Sequence, residues 1–304
     1  MNEPRHFITG TELRREELQS LIGRGRELKR AGVDGRPLEN RSVAMLLARP
    51  STRTRASFEV GIAQLGGKPV VLRADELQLA RGESPRDTAL VLSRYVDAIV
   101  ARPGSDATIE ELARHAEVPV VNALTPLHHP CQALADLMTL EERFGSLEGL
   151  RVAYVGDGNN VAASLAFGAA LSGVELVVAS PESYELDGET VARVRNLGGA
   201  IELVTDPYEA VRDADAVYTD VWTSMGQEAE RERRLHAFVG FTVDDALMKA
   251  AAPDAVFLHC LPAHRGEEVA AEVIDGPRSL VWQQAANRMH AARALLVDLV
   301  EDGE

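Results

Sequence analysis

Hydroxyl and guanidinium side chains stand together in the segment Ser51-Thr52-Arg53-Thr54-Arg55. The segment follows the apolar run 43–48, which predicts a buried strand, and precedes an amphipathic helical pattern that includes Phe58. Pro50 marks the junction, where a helix has not yet begun in full. At such a turn, free backbone N–H groups and the positive end of the helix dipole point the same way. The combination predicts a phosphate site.

Helix capping is the alternative explanation of this segment. Ser or Thr before a helix is commonly an N-cap, and Arg in a first turn is commonly solvated. Two arginines in the first turn oppose the helix dipole, however, so capping alone does not explain them. The segment lacks the Gly-Lys-Ser/Thr of a nucleotide-binding loop, which favours a small phosphate compound over a nucleotide.

The composition indicates a globular protein of a reducing compartment. Of the 304 residues, 45% are hydrophobic and 26% are charged. We expect no membrane span and no signal peptide, because no apolar run has the required length or position. Cys131 and Cys260 are too few for a disulfide scaffold, which favours the cytoplasm. The net charge of −15 argues against nucleic acid as a partner, so local arginines must attract any anionic substrate.

The alternation of strand and helix patterns predicts the fold class. After a first helical pattern over 11–30, the expected strands are 43–48, 69–72, 97–102, 118–122, 151–156, 174–179, 200–204, 215–219 and 255–259. Such alternation predicts an α/β protein of two doubly wound domains with parallel sheets. We expect domains over 1–145 and 146–284, linked by interdomain helices. The C-terminal segment 285–304 is expected to return to the first domain.

Chemistry-bearing residues lie at the carboxyl ends of the expected strands, where doubly wound sheets bind their ligands. They are found at 51–55, 102, 129–132, 156–160, 220 and 259–262. Six strand ends of this kind predict a binding site more strongly than any single motif does.

Two polar stretches of the second half are ambiguous. Gly156-Asp157-Gly158-Asn159-Asn160 departs from the dinucleotide fingerprint because Val161 fills its third glycine position, which disfavours NAD. The paired asparagines could cap a helix or hold a substrate carboxylate. The stretch 220–241 is either a solvated loop or a mobile lid with Gly226 as its hinge.

Histidine and cysteine side chains stand at two of these strand ends, 129–132 and 259–262. His129 could be a structural histidine, or it could donate with Gln132 to one carbonyl oxygen. Cys131 between them is better explained as a packing residue. Cys260 could be an inert buried thiol, although the histidines and arginine around it favour a functional role. No metal is expected, since no His/Cys/Asp spacing matches a zinc site.

Taken in order, four motifs closely resemble those of the ornithine carbamoyltransferases, within the aspartate/ornithine carbamoyltransferase family. They are 51–55, 129–132, Asp220 with Ser224-Met225-Gly226, and His259-Cys260-Leu261-Pro262. The likeness continues through 77–83, 156–160 and 286–290, and therefore covers nearly the whole chain. It implies one domain for carbamoyl phosphate and one for L-ornithine, no cofactor, and a homotrimer or a multiple of trimers.

The resemblance also implies substrate contacts at numbered positions. Those for carbamoyl phosphate are Ser51, Thr52, Arg53, Thr54, Gln78, Arg102, His129, Pro130, Cys131, Gln132, Cys260, Leu261 and Arg288. Those for ornithine are Asn160, Asp220, Ser224 and Met225. The residues expected in catalysis are Arg53, Arg102, His129, Cys260 and Arg288. Gln78 is expected to reach the neighbouring subunit's site, so that active sites are shared. Two departures from the family, Arg49 for Lys and Ala80 for Gly, touch none of these contacts.

The implied reaction carries the carbamoyl group of carbamoyl phosphate to the δ-amine of ornithine, giving L-citrulline and phosphate in arginine metabolism. Synthesis and breakdown of arginine use the same chemistry, so the direction stays open. A related transferase acting on putrescine, acetylornithine or aspartate is one alternative, and a non-catalytic phosphate-binding protein is another. Asp220 with Ser224-Met225-Gly226 favours an acceptor that has a free α-amino group. We also expect ordered binding, with carbamoyl phosphate first.

Overall fold

Two compact units make up the chain, whose computed structural model describes residues 3–224 and 227–301. The first unit is Met1–Met138 with Ala286–Glu304, and the second is Thr139–Ala285. Each unit is built on one parallel sheet flanked by helices. The predicted fold class of two doubly wound α/β domains is therefore confirmed.

The first unit contains a sheet in the order β2-β1-β3-β4, with every described strand pair parallel. Its strands are β1 Ser42–Leu47, β2 Lys68–Arg73, β3 Ala98–Arg102 and β4 Val120–Asn122. Its helices are α1 Arg15–Ala31, α2 Thr52–Gln64, α3 Pro85–Leu92, α4 Asp106–His115, the start of α5 Pro130–Phe144 and most of α12 Val281–Glu301, with a 3₁₀ helix over Gln78–Arg81. The two unit boundaries thus fall inside α5 and α12.

The edge strand β4 is shorter than the sequence pattern predicted. Pro119 has no N–H to donate, so the strand begins only at Val120. Phe7 pairs with this edge, donating its N–H to the Val120 carbonyl at 2.8 Å and accepting the Asn122 N–H at 2.8 Å. The N-terminal segment therefore covers an edge that would otherwise be open, and the sequence pattern did not predict this pairing.

The second unit contains a parallel sheet in the order β7-β6-β5-β8-β9. Its strands are β5 Arg151–Val155, β6 Glu175–Ala179, β7 Ile201–Val204, β8 Ala216–Thr219 and β9 Val256–His259. Its further helices are α6 Asn160–Ser172, α7 Gly188–Asn196, α8 Pro207–Val211, α9 Arg231–Ala237, α10 Asp245–Ala250 and α11 Ala271–Ile274, with a 3₁₀ helix over Glu228–Glu230. The central strands consist mainly of apolar residues that are buried on both faces, as expected where helices cover a parallel sheet.

Strand order reverses between β1 and β3 in the first sheet and between β5 and β8 in the second. At such a switch point the connections leave in opposite directions and open a crevice beyond the strand ends. Segment 51–55 and Arg102 follow the first pair of strands, and segment 156–160 and Asp220 follow the second pair. Each unit therefore has polar side chains at its own switch point.

The polar stretch 220–241 is more ordered than a solvated loop. It contains the 3₁₀ helix and α9, and Arg234 within α9 is buried. The loop interpretation is therefore wrong for this part of the stretch. Met225 and Gly226 lie outside the described residues, so the lid with Gly226 as hinge stays a prediction. Among the described residues, no helix combines the length and the apolar character that crossing a membrane requires.

Candidate functional site

The N-terminus of α2 is the first element of the site. Ser51 is its N-cap, and the Ser51 Oγ accepts the Thr54 N–H at 3.3 Å. No acidic side chain stands in the first turn to neutralise the helix dipole. Arg53 is exposed there, whereas Arg55 is turned to Glu59, with 3.0 Å between Nε and Oε2. Ser51 therefore caps the helix, and the positive end of the helix dipole still has no acidic side chain in the first turn to neutralise it.

Two guanidiniums from distant parts of the first unit meet at this helix end. Arg102, the last residue of β3, donates from Nη1 to the Ser51 Oγ at 2.9 Å and to the Thr54 Oγ1 at 3.4 Å. Arg288 on α12 donates from Nη2 to the same Thr54 Oγ1 at 3.2 Å. Thr54 is fully buried, so both guanidiniums are anchored on one neutral hydroxyl.

Like charges repel one another in this cluster. Burial and, after it, the positive charges of Arg288, Arg53 and Arg49 together lower the pKa of Arg102 to about 10. Arg102 still carries its charge at neutral pH. An anion placed at this helix end would relieve the repulsion, which is the property expected of a phosphate site.

His129 is buried against the cluster as a neutral imidazole. Burial lowers its pKa well below the usual range, and the charges of Arg288, Arg102 and Arg53 act in the same direction. The His129 Nε2 lies 3.2 Å from the Arg288 Nη1. Since a guanidinium can only donate, Nε2 is the acceptor and the ring hydrogen is on Nδ1. The predicted donation to a carbonyl oxygen would therefore have to come from Nδ1.

The amide of Gln132 is oriented from both ends. Its Oε1 accepts from the Arg288 Nη1, and its Nε2 donates to the Asp136 Oδ1 at 2.7 Å. A carboxylate only accepts, so Asp136 fixes which end of the amide faces the guanidinium. Sequence analysis missed Asp136. An acidic residue one turn after Gln132, on the buried face of an apolar helix, is a signal that could have revealed it.

The remaining residues predicted for carbamoyl phosphate occupy different surroundings. Pro130 begins α5, and Cys131 beside it donates from Sγ to the Asn122 carbonyl at 3.3 Å. Burial raises the pKa of Cys131 to about 12, so the thiol is neutral, as a packing residue would be. Gln78 is exposed at the start of its 3₁₀ helix. Cys260 and Leu261 belong to the second unit. Their roles towards carbamoyl phosphate stay predictions.

A buried carboxylate is the centre of the site in the second unit. Asp220 follows β8, and its Oδ2 accepts from the Asn159 Nδ2 at 2.9 Å. Its Oδ1 accepts from the Cys260 Sγ at 3.0 Å. Both partners are neutral, so they orient the Asp220 carboxylate without forming an ion pair with it. A carboxylate held in this way suits a substrate ammonium.

The two asparagines occupy different positions at the start of α6, and only the capping role of Asn159 is visible. Asn159 is the N-cap of α6, where its Oδ1 accepts the N–H groups of Val161 at 2.9 Å and Ala162 at 3.2 Å. The same side chain holds Asp220, so it caps the helix and shapes the site. Asn160 is the first residue of α6 and is half-buried. Ser224 is also half-buried, whereas Met225 lies outside the described residues.

A buried ion pair lies beneath this site and was missed by sequence analysis. Arg234 donates from Nη1 to the Asp157 Oδ2 at 2.8 Å and to the Trp222 carbonyl at 2.9 Å. The pair ties the turn after β5 to α9. Burial raises the pKa of Asp157 to about 6, although the neighbouring Arg234 opposes that rise. Arg234 stands in a run of charged residues, so no periodic signal distinguished it.

Two groups of side chains in the described residues have ligand atoms close enough together to hold a metal ion. They are Asp220 with His259 and Cys260, and His264 with Glu267 and Glu268, each within 4.8 Å. Members of both groups already bond to one another or to neighbours: Cys260 to Asp220, and His259 to Glu268. That the chemistry needs no metal stays a prediction.

Both units match models of known domains. Residues 5–142 match the model described as "Aspartate/ornithine carbamoyltransferase, carbamoyl-P binding domain". Residues 148–299 match "Aspartate/ornithine carbamoyltransferase, Asp/Orn binding domain". The ornithine carbamoyltransferase of Methanoculleus marisnigri is 53% identical to this chain, over 98% of this chain and 97% of that one. The anabolic ornithine carbamoyltransferase of Pyrococcus furiosus is 51% identical, over 92% and 91%.

Solved structures of similar proteins have the same fold. The ornithine carbamoyltransferase of Pyrococcus furiosus superposes with a TM-score of 0.92 at 49% identity, covering 97% of this chain and 96% of that one. That of Thermus thermophilus superposes with a TM-score of 0.90 at 45% identity, covering 98% of this chain and all of that one.

The Asp157 carboxyl predicts a pH dependence of stability. Its pKa of about 6 in the folded chain lies above its ordinary value of 3.8. Folding therefore favours the protonated form, and this contribution to stability is present below the lower value and is lost as pH rises through the higher one. Relative to Asp157→Asn, we expect the unfolding free energy of the wild type to fall by about 1–3 kcal/mol between about pH 4 and 7.

Urea unfolding of both proteins across this range measures the difference. Asp75→Asn, at an exposed position of the first unit, is the control and should follow the wild type. Parallel curves for the wild type and Asp157→Asn would show that Asp157 does not titrate in this range.

Proposed function

Since the chain belongs to the aspartate/ornithine carbamoyltransferase family, we propose that it transfers the carbamoyl group of carbamoyl phosphate to the δ-amine of L-ornithine, giving L-citrulline and phosphate. The resemblance noted in the sequence is thereby confirmed. The observation that carries the proposal is the meeting of Arg102 and Arg288 on Thr54 at the N-terminus of α2. This arrangement places positive charge and hydrogen-bond donors where an anionic substrate can bind.

The phosphate group of carbamoyl phosphate binds at the start of α2. Backbone N–H groups of the first turn, the hydroxyls of Ser51, Thr52 and Thr54, and the guanidiniums of Arg53 and Arg102 supply donors of three kinds. Binding a dianion relieves the repulsion that lowers the pKa of Arg102. Part of the affinity therefore comes from the strained charge distribution of the free site.

The carbamoyl group lies against Arg288, His129 and Gln132. When an amine attacks the carbamoyl carbon, negative charge grows on the carbonyl oxygen and then on the departing phosphate. Donors already in place stabilise that charge, and each such donor is worth about 3 kcal/mol. Because His129 is neutral, it orients the group without adding to the charge repulsion.

Ornithine is held at its amino-acid end by the second unit. Asp220 receives the α-ammonium, and we assign the other contacts to Asn160, Ser224 and Met225. The δ-amine must be neutral to attack, although its pKa in water is about 10, as for Lys. Nearby guanidiniums disfavour the ammonium form. The new C–N bond then forms, the C–O bond to phosphate breaks, and the amine proton passes to phosphate or solvent.

Alternative acceptors are disfavoured by the charge of the second site. A dicarboxylate such as aspartate would bring a second negative charge towards Asp220, whose bonded partners Asn159 and Cys260 are neutral. Acetylornithine lacks the free α-ammonium that Asp220 would bind, whereas putrescine has a second ammonium but no carboxylate for the remaining contacts. Transfer of label from ¹⁴C-carbamoyl phosphate to each amine decides among them. Product from ornithine supports the proposal, product only from another amine assigns a related transferase, and no product indicates a binding protein.

The assembly and setting belong to the same proposal. We propose a homotrimer or a multiple of trimers in which Gln78 serves the neighbouring subunit's site, since Gln78 is exposed in the single chain. We place the enzyme in the cytoplasm and in arginine metabolism. Its cysteines, Cys131 and Cys260, are free thiols, which fits a reducing compartment.

Replacing Arg53 by Ala should abolish most turnover while leaving the fold intact. Arg53 is exposed at the helix end, so its loss removes a donor without opening a cavity. We expect kcat to fall at least about 100-fold, as on loss of one preorganised donor. Arg55→Ala is the matched control, because Arg55 pairs with Glu59 and should stay within about threefold of the wild type. Equal effects of the two substitutions would reject the assignment of Arg53.

Replacing Asp220 by Asn should weaken ornithine selectively. The amide keeps the shape of the side chain but removes the charge that faces the α-ammonium. We expect the ornithine KM to rise at least about 30-fold, corresponding to roughly 2 kcal/mol or more for a truncated buried pair. The Kd of carbamoyl phosphate, measured by calorimetry, should stay unchanged. Parallel loss of both substrates would show that they are not bound by separate units.

Mixed oligomers test whether active sites are shared. Gln78→Ala and Arg53→Ala should each be nearly inactive alone. If Gln78 serves a neighbour, denaturing the two variants together and refolding them should restore activity, because some sites then combine an intact Arg53 with an intact Gln78. Unmixed variants taken through the same procedure are the control. Activity no higher than the mean of the two parents would place Gln78 in its own subunit's site.

A further inference from the structure

A buried imidazole and a buried carboxylate stand behind the loop that carries Cys260 and Leu261. The side chains of His259, at the end of β9, and of Glu268 are both completely buried. Neither touches Asp220 in any described hydrogen bond, and neither was assigned a role in the reaction above. Buried polar side chains of this kind are costly unless they are hydrogen-bonded, so the partners of these two matter.

The hydrogen bonds of His259 fix its tautomer. The Leu261 N–H donates to the His259 Nδ1 at 2.9 Å, so Nδ1 is an acceptor. The hydrogen of the neutral ring is therefore on Nε2, which lies 3.2 Å from the Glu268 Oε1 and donates to it. Glu268 thus selects the ring form that can hold Leu261.

One carboxylate oxygen holds both ends of the loop. The Glu268 Oε1 accepts from the His259 ring at the start and from the backbone N–H of His264 at the end. At the same strand end, the His259 N–H donates to the Gln284 Oε1 at 2.9 Å. The loop, residues 259–264, is therefore hydrogen-bonded to Glu268 at both of its ends.

The conformation of Leu261 shows why the loop needs this support. Its φ is 60°, in the left-handed region that is unfavourable for residues other than glycine. The bond from its N–H to His259 offsets that cost. Cys260 immediately precedes Leu261, and its thiol donates to the Asp220 Oδ1. The position of the loop therefore decides whether Cys260 meets Asp220.

We propose that Glu268 and His259 are positioning residues of the ornithine site, which hold the loop so that Cys260 orients Asp220. The role of the site rests on the proposed function. Other groups facing Glu268 do not supply this support. The Glu268 Oε2 lies 3.9 Å from the His264 Nδ1, beyond hydrogen-bond distance, and Glu267 is paired with Arg231. Of the two Glu268 oxygens, Oε1 is the one that bonds to the loop.

The geometry predicts how substitutions at Glu268 differ. Glu268→Gln keeps an acceptor oxygen at Oε1 and should preserve the loop, whereas Glu268→Ala removes the acceptor and should release it. Val269→Ala is the matched control, since Val269 is the next residue, is completely buried and is apolar, so its truncation opens a cavity without breaking the loop bonds. A merely structural role would make the two alanine variants behave alike.

Alkylation of Cys260 by iodoacetamide, followed by peptide mass spectrometry, reports the loop position without requiring activity. Cys260 is buried in the intact chain. We expect its alkylation rate to rise at least about tenfold in Glu268→Ala and to stay within about threefold of the wild type in Glu268→Gln and Val269→Ala. In the same proteins, the ornithine KM should rise at least about tenfold only in Glu268→Ala, with the KM of carbamoyl phosphate unchanged.

Each outcome decides one question. Equal alkylation rates in the two alanine variants, or no change in Glu268→Ala, would overturn the positioning role. Absence of carbamoyl transfer to ornithine by the wild type would instead overturn the proposed function, and the alkylation result would still decide whether Glu268 holds the loop. If Glu268→Ala does not fold, Glu268→Asp takes its place. Its shorter side chain keeps the charge but cannot span both donors, so Cys260 should again become more reactive.

Discussion

Repulsion between buried guanidiniums is the interaction on which the first unit's chemistry depends. Arg102 and Arg288 are held at Thr54 by hydroxyl, amide and imidazole acceptors, with the one described carboxylate of the cluster, Asp136, facing the far end of the Gln132 amide. Neutral acceptors leave the positive charge available, even in a chain whose net charge is −15.

Sheet topology brings this charge together. Ser51 and Arg102 are adjacent because the strand order reverses between β1 and β3, and Arg288 arrives only through the final helix, 234 residues after Thr54. The second sheet has the same kind of strand-order reversal, but the side chain found there is negatively charged. The reversal between β5 and β8 places Asp220 beside the turn that follows β5. The same topological rule therefore gathers positive side chains in one unit and places a buried carboxylate in the other.

Local pattern was sufficient to predict most elements and the strand ends that carry polar residues. Boundaries moved where backbone chemistry intervened, as at Pro119, where the strand began at Val120. Contacts between residues far apart in sequence were not predictable. The pairs Asp157–Arg234 and His259–Glu268 depend on which side chains the folded loops turn inward, and composition contains no such information. Asp136 was also missed, although its spacing of four residues from Gln132 on one helix was a local signal.

The opposite charges of the two sites also bear on the order of binding that the sequence predicted. Transfer requires the δ-amine to attack the carbamoyl carbon, so the amine must come close to the residues that bind the carbamoyl group. In the proposed site, that place carries the positive charges of Arg53, Arg102 and Arg288 before carbamoyl phosphate binds, and these charges repel a δ-ammonium. A bound dianion lowers the net positive charge and leaves enough of it to favour the neutral amine. Electrostatics alone therefore favours carbamoyl phosphate as the first substrate.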